Sequence, residues 1–193
     1  MIYLLIDVQS VYVTFKGETM KRMLDIERVK LDEASDFTAK YHRHSKPLKR
    51  HKFTLGAVDH YKPHDEFLGI VTVDTCSSHQ WSKRRDHVEI RRCVVRDDLE
   101  EGNNISSFLL RKAVNACFAL GYKAVITYTR PYESGASLIA SGFVLQKVAN
   151  ANDDNGLLTW CIGKSVGQDY DHRSNGSSTK PILENIKNQR FVA

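Results

Sequence analysis

Proline, tryptophan and cysteine are all sparse, at four, two and four residues in 193. Cys76, Cys93, Cys117 and Cys161 are scattered with no C-x-x-C pair, which argues against a zinc knuckle and against a disulfide framework. No uninterrupted apolar run approaches the roughly 20 residues that a membrane-spanning helix needs, so no membrane partner is expected. The opening Met1-Ile-Tyr-Leu-Leu-Ile-Asp7 lacks the basic stretch that begins a secretory signal. A reduced, cytoplasmic protein is the expectation. No repeat or low-complexity domain stands out, and neither sign of charge dominates. With 28 Lys and Arg against 23 Asp and Glu, the excess of +5 permits a polyanionic partner without demanding one. Hydrophobic residues at 41% are enough to build a core, which excludes wholesale disorder.

What the chain does have is histidine in one place: seven of the eight fall between His42 and His87. Three regions are expected. Residues 1–22 form an N-terminal extension, 23–164 one folded domain, and 165–193 a polar tail rich in Ser, Asn, Gly and Lys. Residues 2–15 alternate loosely and read as an edge strand. Lys16-Gly-Glu-Thr-Met20 can also be encoded AAA-GGA-GAA-ACA-ATG, which holds a ribosome-binding sequence, so translation starting at Met20 is a second expectation.

Within the domain, Leu24–Leu31 reads as a strand, and Asp32 as the cap of a helix running to Tyr41. Phe53–Asp59 and Phe67–Val73 read as an antiparallel hairpin, and His87–Val95 as the next strand. Ser106 or Ser107 caps a long helix that Gly121 stops. Ala124–Thr129 is a short buried strand, Gly135–Ser141 a short helix, and Phe143–Val148 and Leu157–Ile162 the last strands. The order β-α-β-β-β-α-β-α-β-β implies an α/β protein with a mixed sheet flanked by helices. On the strand 87–95, alternation places Glu89 and Arg91 on one face and Ile90 and Arg92 on the other.

This order, with Glu101-Gly-Asn-Asn-Ile-Ser-Ser-Phe-Leu-Leu110 between a strand and the long helix, resembles the Gcn5-related N-acetyltransferase (GNAT) superfamily over roughly Leu24 to Lys164. The family loop is R/Q-x-x-G-x-G/A, and its positions fall here on Glu101, Asn104 and Ser106. The strings Tyr41-His-Arg-His-Ser-Lys-Pro47, Glu89-Ile-Arg-Arg92, Ile126-Thr-Tyr-Thr-Arg-Pro131 and Gly135-Ala-Ser-Leu138 resemble uncharacterised phage GNAT-like proteins. A more distant resemblance is to the phage Mom DNA-modification proteins, through His42, His44, Glu89 and Arg92. The resemblance implies a GNAT-like, mostly antiparallel twisted sheet. It implies acetyl-CoA or a related acyl-CoA as cofactor, held by Val94, Val95, Gly102, Asn104, Ile105, Ser106 and Ser107. Exposed amides and the positive end of the helix dipole form the anion site there.

Acyl transfer to an amine needs a base for the amine proton and an acid for the leaving thiolate. The resemblance implies Glu89 as the base, on the strand before the cofactor loop, and Tyr128 as the acid, with Tyr132 as its rival. His42, His44, Lys46, His51 and Arg92 are expected to meet the substrate. The H-x-H spacing of His42 and His44 suits a metal pair, but no carboxylate at a diagnostic spacing completes it, and no metal is expected. Lys46, Lys49, Arg50, Lys52, Lys83, Arg84, Arg85, Arg91 and Arg92 form two basic clusters. Tyr41, Tyr61 and Trp81 are candidates for stacking a base. Cys93 and Cys117 read as small buried hydrophobes.

Three functions therefore stand open. The first is a phage-type acyltransferase acting on an amine acceptor. The second is Mom-like modification of nucleic-acid bases, with DNA as partner. The third is a binding protein of the same fold without turnover.

Overall fold

The computed structural model describes residues 9–15, 18–42, 48–61, 66–99, 104–149 and 156–163. Their elements in chain order are β1 (Gln9–Phe15), β2 (Glu18–Val29), α1 (Leu31–Tyr41), β3 (Phe53–Asp59), β4 (Gly69–Thr75) and α2 (His79–Ser82). There follow β5 (His87–Val95), α3 (Ile105–Ala119), β6 (Ala124–Thr129), α4 (Ala136–Ala140), β7 (Val144–Ala149) and β8 (Leu157–Gly163). One eight-stranded sheet runs in the order β1-β2-β3-β4-β5-β6-β8-β7. Every neighbouring pair is antiparallel except β5 and β6.

Strand alternation decides which helix covers which face. On β4, Val71 and Val73 turn toward α3, where they join Val88, Ile90, Phe108, Leu109, Ala113 and Cys117 in the main core. Ile70 turns the other way and packs with Val29, Ala34, Phe37 and Val94 under α1. A third apolar cluster lies under α2, made of Cys76, Trp81, Ala124, Ile126 and Cys161 with Tyr128 against it. The sheet is thus covered on both faces, as a mixed α/β sheet must be. No described helix is long and apolar enough to cross a membrane.

Element order follows the sequence reading, and the differences lie at edges. β2 begins at Glu18 and pairs with β1 from Phe15–Glu18 to Gln9–Leu24, so strand pairing runs across the boundary expected at 22/23. The helix α1 begins at Leu31 rather than after an Asp32 cap. Its start is closed by Glu33, whose Oε2 accepts from the Lys30 backbone N–H at 2.9 Å. The strand expected over 67–73 is shifted to 69–75. The short helix α2 carries no helical periodicity in four residues and has no signal in the sequence. Gly121 and Gly142 both lie at φ +90, where a side chain would be strained, and end α3 and α4 as expected. Residues 165–193 fall outside the described residues.

Candidate active site

The parallel pairing of β5 and β6 lasts only from His87–Ala124 to Glu89–Ile126. Beyond it β5 continues to Val95 and β6 to Thr129, so the two strands part. The Thr127 hydroxyl donates to the Ile90 carbonyl at 3.1 Å and satisfies the first acceptor exposed by the split. The gap becomes a cleft of about 520 Å³ lined by both strands, the start of α3, the loop 130–135, α4 and His42. Parting strands expose main-chain groups in a concave site, which is where a ligand can add its own hydrogen bonds.

One irregularity of β5 sets the chemistry on the α1 side of the cleft. Thr72 pairs with Arg92 and Val73 with Ile90, so Arg91 is an extra residue, a β-bulge. Cys93 and Val95 consequently face the α3 core together with Val88 and Ile90. Arg92, opposite Thr72, joins Glu89 and Arg91 on the other face. This corrects the expectation that Arg92 shares a face with Ile90, because the inserted residue resets the alternation. The result is a polar band between the two apolar clusters of that face: Thr54, Thr72, Asp74, Glu89, Arg91 and Arg92.

Within the band the carboxylates are already engaged. Glu89 is 4% exposed, and its Oε2 accepts from both the backbone N–H and the hydroxyl of Ser77, each at 2.7 Å. Its Oε1 stands 3.4 Å from Arg91 Nε. Asp74 takes Arg50 at 3.1 Å and Arg91 at 3.6 Å. Arg92 meets no carboxylate among the described residues: its Nη1 donates to the Arg91 carbonyl at 2.7 Å, and its Nε, buried like that of Arg91, has no hydrogen-bond acceptor there. Burial and the neighbouring Arg91 charge lower its pKa, and Glu89 offsets part of that.

Tyr128 turns onto the same side as Glu89, against the α2 cluster. Its hydroxyl is buried and makes no hydrogen bond of good geometry. Burial first, then the Glu89 charge, raise the phenol above its usual value, and Ser78 offsets part of the rise. The group is held as a protonated acid. Tyr132, the rival, is 68% exposed on the cleft rim.

The opposite wall is the start of α3. The helix begins at Ile105, with Asn104 at the N-cap making no side-chain hydrogen bond, and no acidic residue stands in the first turn. Ser106 and Ser107 are therefore inside the helix rather than capping it, and no acidic side chain of the first turn stands against its positive end. Ile105 and Val94 point into cores, and Val95 packs against one, so only their main chain can face a ligand. Gly135, which caps α4 at φ +62, lines the same wall, and a Cβ there would stand 2.6 Å from Trp160.

Of the residues expected from sequence, His42, Glu89, Arg92, Ser106 and Tyr128 line the cleft. His51 does not. Its Nδ1 pairs with the Thr54 hydroxyl at 2.7 Å, which in turn meets the Thr72 hydroxyl at 3.0 Å. Burial and the Arg28 charge lower its pKa, opposed by Asp74. His44, Lys46, Glu101 and Gly102 lie outside the described residues. Among the described residues no three His, Cys, Asp or Glu side chains gather as a metal would require. Trp81 is buried and stacked on His87, so it has no face for a base, which corrects that expectation, while Tyr61 is exposed. Lys49, Arg50, Lys52 and Lys83–Arg85 are exposed. Burial pushes the Cys93 and Cys117 thiols up to about 12, in keeping with their reading as small hydrophobes. Thr127, Arg130, Glu133 and Leu138 also line the cleft, and the sequence reading gives none of them a site role. The string Thr-Tyr-Thr-Arg-Pro leaving a buried strand was the available signal.

The fold matches that of solved acetyltransferases. The chain superposes on the GNAT domain of S. lividans PAT with TM-score 0.55 at 14% identity, covering 81% of this chain and 96% of that one. It superposes on the ribosomal-protein-S18-alanine N-acetyltransferase from Escherichia coli with TM-score 0.55 at 11% identity, covering 77% and 99%. A Bacillus subtilis acetyltransferase in complex with CoA matches with TM-score 0.51 at 15% identity, covering 72% and 98%. No family model and no curated protein matches the chain. The fold is the GNAT fold. At such identities the likeness defines architecture, and the chemistry must be argued from the cleft.

Proposed function

We propose that this protein transfers an acyl group from acyl-coenzyme A to an amine. The observation that carries the reading is the split of β5 from β6, with the start of α3 on one side and a carboxylate and a protonated phenol on the other. The residues present fit acyl-CoA. The main chain of 104–107 and the positive end of α3 suit its pyrophosphate, and the main chain of Val94 and Val95 suits its pantetheine arm. Glu101 and Asn104 stand where the family loop has Gln or Arg and Gly, so the helix end supplies the attraction. When bound, acyl-CoA supplies an activated thioester carbon for an amine to attack.

The chain's own groups then manage protons. Ser77 fixes Oε2 of Glu89 while Oε1 stands 3.4 Å from Arg91 Nε, so the carboxylate is held at the cleft wall, where it can take the amine proton. Tyr128 holds a proton at its phenol oxygen for the departing thiolate, and its raised pKa keeps it loaded. His42 lines the acceptor side.

Calorimetric titration with acetyl-CoA, alone and beside Ser107→Asp, tests the reading. Binding to the wild type that the added charge abolishes, followed by CoA release with an amine panel, is the expected result. No binding at millimolar acetyl-CoA would overturn it.

A further inference from the structure

We infer that the amine acceptor carries an anionic group, a carboxylate or phosphate, which Arg92 binds. This rests on the acyltransferase reading and names the substrate class of that site. Among the described residues five charged side chains line the cleft: Arg91, Arg92 and Arg130 against Glu89 and Glu133, a net +1. Glu89 has Oε2 held by Ser77 and Oε1 beside Arg91, and Asp74, behind the cleft, is taken by Arg50 and Arg91. Among the described residues Arg92 meets no carboxylate. It donates once, to a neighbouring carbonyl, and buries Nε with nothing to accept from it. A half-buried guanidinium with an unused buried donor is open to an anion, and its planar fork matches carboxylate and phosphate oxygens.

The anion it awaits is not the pyrophosphate of acyl-CoA. Cys93, facing the opposite side of β5, is the residue that reaches the start of α3, where its thiol lies 4.0 Å from the Ser106 carbonyl. Arg92 shares its face with Glu89, the side from which the amine proton is taken. The bulge is what brings this about: in a regular ladder with Arg91 opposite Thr72, Arg92 would stand opposite Val71 and point into the α3 core. An acceptor with its amine at Glu89 would thus extend its acidic group toward Arg92, one bulge along the strand.

The test titrates matched amines into the full chain by calorimetry, with and without saturating CoA. The pairs are L-phenylalanine against phenethylamine, and O-phosphoethanolamine against ethanolamine. The same titrations are run on Arg92→Gln and Arg92→Lys. At least one acidic amine should bind roughly 10- to 100-fold tighter than its neutral partner. That preference should vanish in Arg92→Gln and persist in part in Arg92→Lys. Which pair shows it separates carboxylate from phosphate. Equal binding within both pairs, no binding of either acidic amine at millimolar concentration, or a preference that survives Arg92→Gln would overturn the inference. Thermal unfolding of Arg92→Gln should match or exceed the wild type, since no ion pair is lost. Acetyl transfer is scored separately by CoA release, so an acidic-amine preference without transfer would count against the acyltransferase reading alone.

Discussion

Glu89 is where stability and chemistry meet, and replacing it by Gln separates the two. The carboxylate is 4% exposed and receives two 2.7 Å hydrogen bonds from Ser77, with Arg91 at 3.4 Å. Hydrogen bonds to a charged acceptor contribute about 1 kcal/mol more each than neutral ones, so two of them lose about 2 kcal/mol. Gln must also turn its NH2 toward either the Ser77 donors or the Arg91 guanidinium, which costs about 1 kcal/mol more. The sum, about 3 kcal/mol, corresponds to a fall in Tm of roughly 6–12 °C for a chain of this size. Thermal and urea unfolding read this directly, while CoA release reads the chemistry on the folded variant. If Glu89 also takes the amine proton, kcat/KM falls by about 100-fold or more with acetyl-CoA affinity retained. A Tm within about 2 °C of the wild type would refute the account of how Glu89 is held. Unchanged turnover in a destabilised variant would leave Glu89 an anchor for the 76–78 turn and remove it from the proton path.

Two further predictions concern groups that burial has altered. Tyr128→Phe removes a hydroxyl that has no good partner, so stability should stay level or rise by up to about 1 kcal/mol, while kcat falls by about 100-fold or more. A loss of stability above about 1 kcal/mol would show that the phenol is structurally bonded. The alkaline fall of the wild-type kcat should come above the ordinary phenol range, because burial and Glu89 raise the phenol and keep the acid form. The four thiols give a stability test, since burial pushes Cys76 and Cys161 up to about 11 and Cys93 and Cys117 up to about 12. In the unfolded chain they ionise near 9, so above that pH the unfolded state binds fewer protons and stability falls as pH rises. The slope is roughly 1.4 kcal/mol per thiol per pH unit. A urea midpoint unchanged between pH 8.5 and 10 would refute it.

The order of strands and helices was legible because hydrophobic periodicity and glycine stops are local. Val71 and Val73 alternate with Thr72, Phe108 and Leu109 recur on one side of α3, and Gly121 and Gly142 end helices where their φ of +90 requires it. Signals fail where the deciding contact is distant. Trp81 reads as a stacking aromatic from its position beside Lys83–Arg85, yet His87 and the α2 cluster bury it. His51 reads as a substrate contact from its place in a histidine-rich segment, yet Thr54 and Thr72 hold it outside the cleft.

Sequence by itself determined the alternation of elements, the two-sided covering of the sheet and the presence of Glu89, Arg92 and Tyr128 on strands that flank a helix start. Tertiary structure alone decided where β5 leaves β6 and which way Arg92 faces. Both depend on pairing register between strands far apart in the chain. One extra residue opposite the Thr72–Val73 step inverts every side chain beyond it, and no local pattern in His87–Val95 records that insertion.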